Sequence, residues 1–335
     1  MRIEMMRLKI LRFPARDFPT AIVVAILLLF PALSRGQGAG RDAISVFPAD
    51  TQQLVYSNLA QLRALPDYSQ IRQLLFTQQL RTFEDSLRSM GTDPEKDVDE
   101  VTLGWRGDPS STTFFGLAEG RLQPDQVHDY VVQHQLPYQQ YAGYELYASG
   151  SGQDHSALYF VFFDSSSAAF GRLGDLKALL DVREGNHPSA NSVSEFSDGE
   201  SELEGTAPQW GIARGAAAAN QAAPWLMGGA KLPTDPKVFL STVQWVLYRF
   251  DWASGFSMHM SILCQNSESA SNLEKILTFV RAVRPSADAS SSAATGALFQ
   301  GMAIQTNDSR VEVRTSVPLE IAEQLFRNGG SAAAP

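Results

Sequence analysis

With one cysteine, six lysines and five histidines in 335 residues, the chain lacks the residues on which several classes of protein depend. Cys264 stands alone, so neither an internal disulfide nor a multi-cysteine metal site is available, and it lies far from the N-terminal segment where a lipid would be attached. The histidines, His128, His134, His155, His187 and His259, include no pair at zinc-ligand spacing. No lysine follows a glycine, which removes the phosphate-cradling Gly-Lys loop, and none has a serine three residues before it, which removes the Ser-x-x-Lys nucleophile. A Gly-x-Ser-x-Gly elbow is also missing. Positive charge is scarce, with 27 Lys and Arg against 36 Asp and Glu for a net charge of −9. No local Lys/Arg cluster reverses that sign, so nucleic acid is excluded as a partner, and neither a cofactor nor a metal is expected.

The N-terminus carries the first positive signal. Arg2, Arg7, Lys9, Arg12 and Arg16 stand against Glu4 and Asp17 and precede the apolar run "TAIVVAILLLF" from Thr20 to Phe30, a basic region followed by a short hydrophobic one. Ala32-Leu33-Ser34 places small residues where a signal peptidase reads, so residues 1–34 are expected to be a signal peptide cleaved after Ser34, with Gly36 as a second choice. No Arg-Arg pair is present, which points to the general secretory route and a periplasmic or extracellular protein. The alternative is an uncleaved anchor, but the stretch from Phe18 to Leu33 falls short of the roughly 20 residues that span a bilayer. Removing residues 1–34 takes away five basic and two acidic residues and leaves a mature chain of net charge −12.

The remaining 300 or so residues are enough for two α+β halves. After the strand "QQLVYSNL" (52–59) comes a long amphipathic helix over 68–90, with Ile71, Leu74, Leu75, Leu80, Phe83, Leu87 and Met90 at helical spacing and Gly91 at the capping position. Strand-strand-helix units then recur. "DVDEVTLGW" and "STTFFGLAEG" lead to a helix from Pro124, and "GYELYAS" and "SALYFVFFD" lead to a helix over 172–182. In the second half "TVQWVLYRF" and "GFSMHMSILC" lead to a helix over 267–283 capped by Ser267 or Ser269, and "LFQGMAIQT" and "SRVEVRTSV" lead to a helix from Pro318. The polar stretch 186–205 reads as a linker between a first half over 43–185 and a second over 206–330. The pattern predicts a tandem duplication of antiparallel sheets with helices packed on one face. In it 52–59 corresponds to 208–215, the 68–90 helix to a shorter one within 216–230, and 98–134 to 242–283.

Candidate sites are few. "YQQYAGYELY" holds Tyr138, Tyr141, Tyr144 and Tyr147, which would serve as an aromatic patch for a polysaccharide or an envelope protein. On one uninterrupted strand a spacing of three alternates faces, which sets Tyr138 and Tyr144 opposite Tyr141 and Tyr147 and favours ordinary strand packing. "DPEKDVDE" (93–100) alternates acids as a calcium loop does, yet Val98 stands where that loop needs glycine and Gly104 where it needs a bidentate acid. His259 lies mid-strand and shares its polar face with Ser257 and Ser261, as a solvated strand histidine would. No catalytic residue can be named.

The phrases "FPADTQQLVYSNLAQL" (47–62), "GTDPEKDVDEVTLGW" (91–105) and "YAGYELY" resemble those that recur in exported bacterial proteins without assigned chemistry. What the resemblance implies is export and fold type. The expected function is a non-enzymatic exported binding or interaction protein. The alternative is an exported hydrolase-like enzyme, to be recognised by a serine, a histidine and a carboxylate converging in one cleft.

Overall fold

The structure, a computed structural model, describes residues 38–324 apart from 66–67, 76–77, 109–113, 150–156, 204–206, 220–235, 253, 288–292 and 323. The expected signal segment, 1–34, lies outside the described residues. Those residues hold no helix long and apolar enough to cross a membrane.

Twelve strands run in chain order as β1 (Thr51–Asn58), β2 (Val98–Arg106), β3 (Phe115–Gly120), β4 (Tyr138–Tyr141), β5 (Tyr144–Ala148), β6 (Leu158–Phe162), β7 (Ser167–Arg172), β8 (Gln209–Arg214), β9 (Val243–Asp251), β10 (Phe256–Cys264), β11 (Ala303–Asn307) and β12 (Arg310–Val317). They form one antiparallel sheet in the order β11-β12-β10-β9-β8-β1-β2-β3-β7-β6-β5-β4. The fold is α+β. The first strands of the two halves lie side by side at its centre, with Leu54 opposite Ile212 and Tyr56 opposite Trp210, so the halves share a continuous sheet.

The expected unit order repeats on either side of that centre. β2 and β3 form a hairpin followed by the helix Pro124–Gln133, and β9 and β10 form one followed by the helix Ser267–Ala287. Helix Ser267–Ala287 is capped by Asn266, whose Oδ1 accepts from the Ser269 N–H at 2.9 Å, so neither Ser267 nor Ser269 is the cap. The first half also carries strands β4 and β7 that periodicity did not separate from their neighbours, because both are short and β7 ("SAAFGR") has little hydrophobic contrast. The counterpart expected for the 68–90 helix, within 216–230, falls largely outside the described residues. The first-half helix itself comprises two segments, Tyr68–Leu75 and Gln78–Ser89. Gly91 ends it at φ +89°, where the Thr92 N–H returns to the Leu87 carbonyl at 3.1 Å.

Period-two alternation sorts side chains onto two faces. On one, Val101, Phe160 and Phe170 meet Leu80 and Phe83 of helix Gln78–Ser89 and Val127 and Val131 of helix Pro124–Gln133. On the same face at the other end, Ile262, Val311 and Val313 pack against Leu273 and Val280 of helix Ser267–Ala287. The opposite face, formed by Leu54, Tyr56, Phe115, Trp210, Ile212 and Leu247, is covered by helices Gly38–Val46, Leu173–Arg183 and Ser194–Leu203. Helices thus clothe both faces of the complete sheet, and Leu173–Arg183 is the hairpin-unit helix that departs from the one-face expectation. The reason is its parentage: it follows β7, whose Ala169 shares the second face with the Leu176 and Leu180 side chains.

Residues 186–205 correct the linker expectation. The Ala190 N–H donates to the Phe47 carbonyl at 2.7 Å, and Ala190 and Phe196 are fully buried. Ser192, Ser194, Asp198 and Glu202 are exposed, while a few apolar residues too sparse to show a period reach the core.

Candidate functional site

The tyrosine stretch folds as a two-residue hairpin, not one strand. Ala142 and Gly143, at φ +50° and +84°, make the turn, which sets Tyr138 opposite Tyr147 and Tyr141 opposite Tyr144. The expected grouping is thereby replaced by two cross-strand pairs on opposite faces. Tyr141 donates its hydroxyl to Asp181 at 2.9 Å and lies under Lys177, and Tyr144 donates to Glu184 at 3.1 Å and accepts from Arg183 at 3.2 Å. This pair clasps helix Leu173–Arg183. Tyr147 is buried against Phe160, with ring centroids 5.6 Å apart, and its hydroxyl donates to Glu145 at 2.5 Å; burial and that carboxylate push its pKa up. Only the ring of Tyr138, 47 % exposed, faces outward. The four tyrosines do not form one stacking shelf.

The acids of residues 93–100 are engaged locally. Asp93 contacts Lys96 at 2.8 Å and Arg88 at 3.3 Å, Asp99 contacts Arg63 at 2.6 Å, and the Asp97 carboxylate accepts from the Asp93 N–H at 2.9 Å.

Histidine, serine and carboxylate do meet at one place. His259 Nε2 contacts Glu312, and Ser261 Oγ donates to the other Glu312 oxygen at 2.9 Å. A nucleophile triad needs the histidine between serine and acid. Here the acid stands between the other two, so the imidazole is not placed to take the hydroxyl's proton.

The feature that no motif announced is a cavity of about 60 Å³ between helix Gln78–Ser89 and strands β2, β3, β6 and β7. Leu80, Phe83 and Leu87 form its helix wall, and Val101, Phe160, Phe162 and Phe170 its sheet wall. Two polar side chains interrupt this lining. Glu84, 5 % exposed, is ion-paired with Arg72; burial raises its carboxyl pKa against the opposing pull of that guanidinium. Thr92, 3 % exposed, has a hydroxyl with no hydrogen-bond partner among the described residues. A buried hydroxyl left unsatisfied costs about 1–3 kcal/mol, which a ligand offering a complementary group would offset. The period-3.6 stripe that predicted this helix contained the apolar half of the wall. Thr92 gave no signal, because its role depends on the turn after Gly91 bringing it back beneath the helix.

A second carboxylate group sits under helix Gly38–Val46. Glu100 accepts from the Ala39 N–H at 3.2 Å, and Thr102 donates to the Ala39 carbonyl at 3.0 Å. Beside them the Glu119 carboxyl is pushed up to about 7, first by burial and then by Asp42, Glu100 and Asp164. A carboxyl whose folded pKa is raised holds its proton more tightly folded than unfolded, so stability present near pH 4.5 is lost as pH climbs to 7. After allowance for solvent at this partly exposed group, the loss is about 1–2 kcal/mol. Glu119→Gln is expected to flatten the melting temperature between pH 5 and 7.5, whereas an unchanged pH profile would show that Glu119 does not titrate there.

No family of known proteins matches the chain by sequence, and no curated protein does. Among solved structures it is similar to TP0453. Crystal form I has 9% identity and a TM-score of 0.50, covering 86% of this chain and 97% of that one; crystal form III has 9% identity and a TM-score of 0.52, covering 86% and 98%. At that identity the likeness shows the fold alone.

Proposed function

We propose that this is an exported, non-enzymatic binding protein that holds an apolar ligand with one hydrogen-bonding group, and that it belongs with the exported bacterial proteins its sequence resembles. The observation that carries this reading is the apolar cavity beneath helix Gln78–Ser89, with Thr92, whose hydroxyl has no partner among the described residues, in its wall. Aromatic walls supply non-directional attraction, and a single polar group fixes orientation. Export rests on the basic and apolar segments at 1–34. The hydrolase-like alternative would need Ser261 activated by His259, and the Ser261 hydroxyl donates to Glu312 instead.

The test uses protein purified from its native host. N-terminal sequencing should begin near Arg35 or Gln37, and 1-propanol, a probe of the size a cavity of about 60 Å³ admits, should bind saturably in titration calorimetry. Ala118→Trp, which fills the cavity, should abolish probe binding while leaving the circular dichroism spectrum intact. An intact Met1 in cytoplasmic material would overturn export, and probe binding unchanged by Ala118→Trp would overturn the cavity as the site.

A further inference from the structure

We propose a second binding site, for a phosphate-class oxyanion, on strands β9, β10 and β12, on the sheet face that carries Trp210 and Leu247. The register places Arg249, His259 and Arg314 directly opposite one another across these three neighbouring strands, all on one face. Adjacent strands lie about 4.8 Å apart, so three basic side chains stand in a single row on a chain whose net charge is −9. They are separated by ten residues or more in sequence, which is why no basic cluster is legible there.

Nothing in the described structure neutralises the two ends of this row. No ion pair, hydrogen bond or ring contact engages Arg249 or Arg314 among the described residues. By contrast, Arg310, on the same face two positions along β12 beyond Glu312, is committed: it contacts Glu202, with one bond at 2.8 Å, and lies 5.2 Å over the Trp245 ring. The acids near the row are also in use. Glu312 is shared between His259 and Ser261, and Asp251 has its own interaction elsewhere. Arg249 and Arg314 stand two strand spacings apart, about 10 Å, on either side of His259, a gap that an anion and its hydrogen bonds can span. Guanidinium groups match the oxygen edges of phosphate in paired hydrogen bonds. Glu312 orients the imidazole between them, and Ser257 and Ser316, opposite one another in the next pair along, add hydroxyl donors. The ligand is therefore a phosphate group, either free or carried on a lipid headgroup. This site lies on the face opposite the apolar cavity and does not depend on the cavity's being occupied.

The experiment compares melting temperature in inorganic phosphate and in chloride at matched ionic strength. With 10 mM phosphate the wild type is expected to gain about 4 °C or more over chloride. Arg249→Gln/Arg314→Gln is expected to lose at least three quarters of the phosphate shift. Arg314→Gln alone, an exposed change, should lose half or more and serves if the double variant fails to fold. Co-sedimentation with phosphatidylglycerol vesicles, absent with phosphatidylcholine vesicles, would assign the phosphate to a lipid headgroup; a phosphate shift without co-sedimentation would assign it to a free ligand. No wild-type shift beyond chloride, or an equal shift in the variants, would overturn the site. Probe binding in the cavity should be unchanged in these variants, which separates failure here from failure of the cavity.

Discussion

Phe196→Ala is expected to destabilise the protein by about 3–5 kcal/mol, the usual cost of deleting a fully buried aromatic ring. Phe196 projects from helix Ser194–Leu203 into the cluster formed by Trp210, Ile212 and Leu247 at the sheet centre, where β8 and β9 leave the first half's helices behind. Gly199, one turn on, lies so close to the sheet that a Cβ there would sit 2.7 Å from the Leu247 side chain. The helix is therefore seated directly on the strands, and truncating its anchor leaves a void that neighbouring rings cannot close. Urea denaturation measures this. A change below about 0.5 kcal/mol, typical of exposed positions, would mean that 194–203 is a tether and that the linker reading was right.

The second large effect concerns the polar edge of the cavity. Arg72→Ala is expected to cost about 3–5 kcal/mol at pH 7, because Glu84 would remain buried without its ion-pair partner. The side chains are only 15% and 7% exposed, so this is not a solvated surface pair of small worth. Burial already raises the Glu84 pKa, and a raised carboxyl favours the folded state while protonated. Lowering the pH toward the unfolded carboxylate value should therefore recover part of the loss. Arg72→Met/Glu84→Leu should restore most of it, since a buried pair exchanged for apolar groups of similar size is often neutral or stabilising. Denaturation curves of the single and double variants at pH 5 and 7 decide the matter. A single variant as stable as wild type would show that water reaches Glu84.

Several elements were legible because their signal is local. Helix Ser267–Ala287 and strand β10 declare themselves by periods of 3.6 and 2 in adjacent stretches, and Gly91 declares the helix end by the left-handed conformation only it adopts cheaply. The separation of Phe256, Met258, Met260 and Ile262 from Ser257, His259 and Ser261 follows from the pleat alone. By itself the sequence determined the α+β class, the recurring hairpin-helix order and the absence of any of the nucleophile or cofactor motifs sought.

The tertiary structure decided what depends on long-range register and on which face a segment covers. Whether β1 pairs with β8 is settled by side-chain fit between strands some 150 residues apart, such as Tyr56 stacking on Trp210 at 5.2 Å, and no local period encodes it. The tyrosines changed partners because a two-residue turn at Ala142-Gly143 replaced an extended strand, and each pair then followed its own face. Both proposed sites arise in the same way. The cavity is the space left between a helix and four strands, with Thr92 returned to it by the chain reversal after Gly91, and the Arg249–His259–Arg314 row exists only once three strands align. Periodicity reports which side of an element is apolar; it carries no information about which residues of distant elements end up opposite one another, because that is fixed by packing across the whole sheet.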